Sequence, residues 1–355
     1  MNYRPVIALV LLIISIPLRA QKRFEWIIHP AFEKADPFVN GVAFVTQGDS
    51  VHFIDITGKR LHSYLKKEAS QFSEDMCLIV VNGKHGFLDR SGNMVVKPQY
   101  DYATNFAEGI AIVLTKDKMG AIDKKGNMVI PAIYFGLLAP AEGLVPASKY
   151  PEKKWGFMDT KGKTVIPFVY DNVKNAPGVN PFKNGLATVT LQGKMGYIDK
   201  TGKMVIANKF DQADDFEGDL AKASYKGKWG FIDKTGKFVI PAIYESYPAG
   251  FSEGLAHVNT GPWDHPQFGY FDTTGKMIIP ARYTWADSFH DGVAMVKQGD
   301  QTLYINKAGE VVSAPAVTPK HDAAFPALEE VGELSDGLRA ARKNGLWGYM
   351  KPRIN

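Results

Sequence analysis

A chain of 355 residues with 45% hydrophobic and 22% charged side chains has the composition of a folded protein, which excludes a disordered or fibrous chain. Its net charge of +5 is small and its lysines recur singly in turns, which argues against nucleic-acid binding. A single cysteine, Cys77, excludes an internal disulfide.

At the N-terminus Arg4 precedes an apolar run from Val6 to Leu18, and Leu18-Arg19-Ala20 comes just before Gln21. That run is shorter than the roughly 20 residues a membrane-spanning helix needs. Residues 1–20 therefore read as a secretory signal peptide, cleaved near Gln21. The mature chain, residues 21–355, is then expected to be exported and not membrane-spanning, in the periplasm, on the cell surface or secreted. Loss of Arg4 and Arg19 leaves 40 basic against 37 acidic side chains, a net +3, and no cysteine stands at the cleavage point to carry a lipid.

Residues 26–32, Trp26-Ile27-Ile28-His29-Pro30-Ala31-Phe32, read as the second half of a unit that recurs along the rest of the chain. Its clearest marker is the Gly of an Asp-x-x-Gly turn or a close variant, at 58, 92, 126, 162, 202, 236, 275 and 309, a spacing of about 34 residues with insertions. A Phe-x-x-Gly precedes the turn at Phe38, Phe106, Phe182, Phe251 and Phe289; other copies place Asp75 or Asp219 at the Gly, or Pro140 at the Phe. Residues 334–350 read as the first half of a unit, so eight full copies are flanked by half-copies that together would make a ninth.

The composition of each copy decides its secondary structure. Gly, Pro and short β-branched or aromatic runs predominate, and no window sustains helical periodicity. Each unit is read as three short strands, as in Leu186-Ala187-Thr188-Val189, Trp229-Gly230-Phe231-Ile232-Asp233 and Phe238-Val239-Ile240. Asp-x-x-Gly forms the turn between the last two. The sheet is expected to end at Pro98, Pro131, Pro167, Pro241 and Pro280, because proline donates no ladder hydrogen bond; Ala207 stands there in the fifth copy. The fold class is therefore all-β. An open, curved superhelix is expected, because 34 residues is short beside the 40–45 usual for a propeller blade and nine blades exceed the usual four to eight; a closed propeller-like ring is the alternative.

Lys154-Trp155-Gly156-Phe157 and Lys228-Trp229-Gly230-Phe231, in units that recur over nearly all of the chain beyond residue 24, resemble the bacterial WG repeat, also called the KWG repeat. The Trp place holds Val51, His85, Met119, Met195, Phe268 and Thr302 in other copies. The resemblance implies an all-β repeat protein, often exported, and brings no catalytic residue with it.

Gly recurs at 86, 120, 156, 196, 230, 269 and 348, which implies that a neighbouring ring or backbone lies where a Cβ would intrude. The Trp place is read as a core slot rather than a stacking ladder for sugars, because Met and Val substitute there. The recurring Asp is read as a turn residue rather than a calcium ligand, since one carboxylate per unit is far from six to eight oxygens. Cys77, in an apolar run, is read as buried and inert, and His85 as a packed histidine. Asp214, Asp215, Glu217 and Asp219 read as a solvated turn.

The eight histidines show no zinc spacing, and no nucleophile elbow, P-loop or EF-hand is present, so no metal, cofactor or catalytic residue is assigned. Insertions at Ser148–Lys153, Val173–Pro181, Asn259–Gln267 and Ser313–Leu334 are the places where a ligand site is expected, and Tyr150, Trp263, Asp264 and His265 are its candidate residues. The function expected is that of a binding or scaffold protein of the cell envelope, recognising a protein, peptide or glycan. The alternative is a propeller-like hydrolase or lyase acting on an envelope polymer.

Overall fold

The structure, a computed structural model, describes residues 24–173, 178–314 and 328–352. The signal-peptide reading of residues 1–20 and most of the Ser313–Leu334 insertion lie outside the described residues. Among the described residues every regular element is a β-strand in a small antiparallel sheet. The chain divides into two compact bodies, residues 64–319 and a second made from both ends, residues 1–63 and 320–355.

Each copy is a meander. Around Trp229, Ala221–Tyr225 pairs with Lys228–Ile232, which pairs with Phe238–Tyr244. These are the three strands expected. A lead strand of two residues, Gln212–Ala213, precedes them and pairs with the first. In one place the lead strand is continuous with the fourth strand of the preceding copy: Met128–Leu137 joins two copies into a seven-stranded sheet.

The prolines do not end the sheet. Strand Phe238–Tyr244 runs through Pro241. Ile232 faces Phe238, Phe231 faces Ile240 and Trp229 faces Tyr244, so the fourth strand bulges between Ile240 and Tyr244. Proline fits such a bulge on an outer strand, where its missing N–H breaks no ladder bond. Ala207 occupies the same bulge between Ile206 and Phe210.

The bulge explains the recurrent glycine. It arches over the third strand, so a Cβ on Gly120 would lie 2.7 Å from the carbonyl oxygen of Ile130, and one on Gly269 would lie 2.7 Å from that of Ile279. Both obstacles are backbone and cannot rotate away.

Successive residues of the third strand then pack against different neighbours. Phe231 clusters with Ala256, Val258 and Phe271 of the following copy. Ile232 clusters with Tyr197, Ile206 and Phe210 of the preceding one. The Phe of Phe-x-x-Gly meets the aromatic of the previous copy's third strand, with ring centroids 4.8 Å apart for Phe87 and Phe106 and 5.0 Å for Phe157 and Phe182. The core therefore consists of interfaces between consecutive copies. Cys77 is fully buried in it, and burial pushes its thiol up to about 12.

The body made from both ends holds a four-stranded sheet ordered Phe24–Phe32, Leu346–Pro352, Leu338–Lys343 and Glu330–Ser335. This is the ninth unit expected from the half-copies, with the two ends in one sheet. The joint repeats the usual contacts: Tyr349 donates to the Asp36 carbonyl at 2.6 Å, and its ring lies 4.6 Å from Phe38.

The turn role of Asp holds in detail. Asp233 Oδ1 accepts the N–H groups of Thr235 at 2.8 Å and Lys237 at 3.1 Å, while Gly236 takes a φ of 79°. Bonding to Thr side chains (Asn127 for Asp123), then to backbone N–H groups, holds Asp55, Asp123, Asp199, Asp233 and Asp272 below the ordinary carboxylate value. Asn306 makes the same backbone bonds without a charge, to Ala308 at 3.0 Å and Glu310 at 3.1 Å.

Two predictions follow from these contacts. Gly230→Val should cost about 1–3 kcal/mol through collision with the bulge, whereas Lys234→Ala should stay within about 0.5 kcal/mol; equal denaturation midpoints would refute the assignment. A depressed folded-state pKa means that the five Asp contribute stability above the ordinary value and lose it as pH falls through the folded one. Replacing all five by Asn should therefore flatten the fall in melting temperature between about pH 5 and pH 2.

Candidate functional site

Two clamps hold consecutive copies in register, and the candidate loops are best understood as departures from them. The first lies at the Phe-x-x-Gly hairpin. Glu108, Glu142 and Glu253 sit there with φ of 49°, 54° and 51°, a left-handed conformation that favours Gly, Asn or Asp. Each has a use for its length: Glu108 accepts the Gly143 N–H of the next copy at 2.9 Å, Glu142 that of Gly185 at 3.1 Å and Glu253 that of Gly292 at 3.1 Å. Lys200 and Lys307 each reach their Glu at 2.9 Å, and these lysine bonds are the leading cause that holds Glu142 and Glu253 below the usual carboxylate range. In the body made from both ends Asp336 accepts the Gly41 N–H at 2.7 Å.

The second clamp uses a carboxylate just before the lead strand. Asp101, Asp171 and Asp211 accept hairpin N–H groups of their own copy, from Lys116, Gly193 and Gly227 at 3.0, 3.0 and 2.9 Å. The same carboxylates take the lysine that opens the preceding copy's third strand, Lys84, Lys154 and Lys194, at 2.5–2.6 Å. The Lys of Lys-Trp-Gly is therefore an inter-copy strut.

The clamp is altered in several copies: Thr284 stands at the carboxylate place beside an ordinary short hairpin and donates its hydroxyl to the Lys297 carbonyl at 3.3 Å, whereas two other altered copies carry an enlarged hairpin between the second and third strands. In the first, Phe135 replaces the carboxylate. Tyr150 packs edge-on against it at 5.4 Å, and the Lys153 ammonium stands 4.3 Å over its ring. In the second, Glu245 keeps Lys228 at 2.6 Å, but the Asn259–Gln267 loop bonds to itself: Asn259 Oδ1 accepts the N–H groups of Gly261 at 3.0 Å and Gln267 at 2.8 Å. A cavity of about 420 Å³ lies between, lined by Lys228, Ile243, Glu245, Asn259, Thr260 and Pro262 among others. A second cavity of about 540 Å³, lined by Glu152, Lys153, Lys154, Asp171, Asn172 and Thr190 among others, lies beside the other enlarged hairpin.

Of the four candidate residues, the structure brings together only neighbours in sequence. Trp263 and Asp264 are the middle of a turn closed by the His265 N–H to the Pro262 carbonyl at 3.1 Å. Trp263 is 94% exposed. His265 Nδ1 lies 3.2 Å from Asp264 Oδ2, with both side chains open to water. Tyr150, 44% exposed, occupies the equivalent hairpin three copies earlier. None of the four lines either cavity; residues adjacent to them do.

The Trp place is a packing slot. Trp155 is 4% exposed and donates its indole N–H to Asn172 at 3.1 Å, and Trp229 packs edge-on against Tyr247 at 4.8 Å. His85 is half-buried against Tyr102 at 5.5 Å. The acidic turn is more engaged than a solvated one: Asp214 accepts the Tyr247 hydroxyl and lies 3.3 Å from Lys222, Asp215 accepts from Asn180 at 3.2 Å, and Asp219 pairs with Lys234 at 2.8 Å. Tyr247 and Asn180 come from neighbouring copies, whereas Lys222 and Lys234 belong to the same copy, on the strand and turn that follow. Among the described residues no group of three or more His, Cys, Asp or Glu could hold a metal ion, and no helix is long and apolar enough to cross a membrane.

Against known families, the profile described as WG containing repeat matches at residues 22–49, 86–118, 119–149, 155–194, 195–229, 229–261 and 268–301. No curated protein matches by sequence. Among solved structures the chain is similar to a eukaryotic initiation factor (13% identity, 81% of this chain and 88% of that one, TM-score 0.45). It is also similar to BamB from Moraxella catarrhalis (13% identity, 94% and 98%, TM-score 0.33) and to Hsv2p of Kluyveromyces lactis (10% identity, 70% and 92%, TM-score 0.37).

The burial of the Trp place sets a test. Trp155→Ala should cost about 3–5 kcal/mol in denaturant unfolding. A variant of wild-type stability would return this ring to the surface.

Proposed function

This chain belongs to the WG-repeat family, and from that premise we propose that it is an exported, non-enzymatic binding scaffold of the cell envelope that recognises a protein, peptide or glycan through its enlarged hairpins. One observation carries the reading. The repeat buries its recurrent aromatics between copies, yet Trp263 is 94% exposed at the tip of an enlarged hairpin whose N–H groups bond to Asn259 of the loop itself. Exposed aromatics on loops held by a rigid scaffold are what recognition uses. Tyr150, on the other enlarged hairpin, presents a second such side chain. The export part of the proposal is supported by the charged and apolar pattern of residues 1–20.

The experiment is retention of envelope components by residues 21–355, followed by product analysis of retained polymers. Trp263→Ala should lower retention about tenfold and Tyr150→Ala by less, each within about 0.5 kcal/mol of wild-type stability. Undiminished retention in both variants refutes the reading, and release of cleaved fragments would favour the hydrolase or lyase alternative. The mature N-terminus should map at or near Gln21.

A further inference from the structure

The cavity beside the Asn259–Gln267 hairpin has a charge-balanced lining. Lys228 and Glu245 bring one cation and one anion, paired at 2.6 Å, so the wall offers a strong donor and a strong acceptor with no net charge. Asn259 spends its amide oxygen on the N–H groups of Gly261 and Gln267, which leaves its NH2 group as the donor. The Thr260 hydroxyl donates to the Gln267 carbonyl at 3.2 Å and keeps its acceptor lone pairs. Ile243 and Pro262 supply the apolar part. Immediately after Pro262 the chain holds Trp263 away from the protein, in a turn fixed by the two Asn259 bonds.

We propose that this cavity is a saccharide subsite for one or two neutral pyranose rings, with Trp263 as the stacking platform beside it; the proposal rests on the binding-scaffold reading above and names its ligand. A pyranose presents hydroxyls that both donate and accept, and a face of C–H groups. The first suit the lysine, carboxylate, amide and hydroxyl, and the second suits Ile243, Pro262 and an open indole. The net-neutral wall gives no preference to an anionic or cationic ligand. The volume of about 420 Å³ falls within the ~300–1,000 Å³ of small-ligand sites. The repeat supplies Lys228, Ile243 and Glu245, and the insertion supplies Asn259, Thr260 and Pro262.

The test is tryptophan emission and calorimetric titration of residues 21–355 with di- to tetrasaccharides of glucose, galactose, mannose and N-acetylglucosamine. At least one should bind saturably with an emission change that disappears in Trp263→Phe difference spectra. Glu245→Gln and Trp263→Ala should each weaken it about tenfold or more with unchanged melting temperature. No binding by any saccharide of the panel, binding that survives both substitutions, or binding only of short peptides overturns the proposal. If envelope retention depends on Trp263 while no saccharide binds, the subsite falls and the binding scaffold stands. If a saccharide binds through Glu245 and Trp263 while retention is indifferent to Trp263, the opposite holds.

Discussion

The close approach of the fourth-strand bulge to the third-strand glycine is the constraint from which the rest of the fold follows. Without a Cβ at positions such as Gly120 and Gly269 the bulge can lie on the strand; with one, two backbones would occupy the same space. The bulge in turn sets the register at which Tyr244 faces Trp229 while Ile240 faces Phe231. That register lets residue 231 pack forward and residue 232 pack backward. A single copy has no core of its own, so cohesion exists only between copies, as in other stacked arrays.

Much of this was legible in the sequence, because a feature that recurs at a fixed period identifies itself. The three strands, the Asp turn, the packed Trp place and the crowding at the glycine all belong to that kind. The two-residue lead strands were not legible, since Gln212–Ala213 is too short to carry a pattern. The prolines misled because the rule that proline stops a ladder has an exception at bulged outer strands, and only pairing reveals the bulge. The second carboxylate clamp had a sequence signal of another sort. Lysine and acid 17 residues apart at Lys84 and Asp101, Lys154 and Asp171, and Lys194 and Asp211 are partners in adjacent copies, too far along the chain for a local pattern. The insertions at Ser148–Lys153 and Asn259–Gln267 are hairpin loops, as their departures from the period implied, but Tyr150 and Trp263 line neither cavity.

The exchange at the enlarged hairpins shows how a repeat acquires specificity. A bond between one exposed carboxylate and one N–H is a modest stabilising contact, so a hairpin can give it up at small cost. What replaces it differs between the two copies. An aromatic and lysine cluster closes over Phe135, whereas a self-bonded loop leaves open space over Glu245. Identical scaffolding thus presents chemically distinct hairpins.

The sheet shared by the two ends has a temporal consequence. Tyr349 and Asp36, which bond across that joint, are 313 residues apart. Closing a loop that long, against one of about 34 residues, adds only about 2 kcal/mol of entropy because the cost grows logarithmically. The delay is the larger effect: Phe24–Phe32 emerges before the intervening copies and waits for Leu346–Pro352, which emerges after them. Until then one edge at each end of the stack is bare. Completion of that sheet is therefore a late, long-range event that follows local assembly of the intervening copies, and a chain terminated before Leu346 would leave the edge of Phe24–Phe32 unpaired.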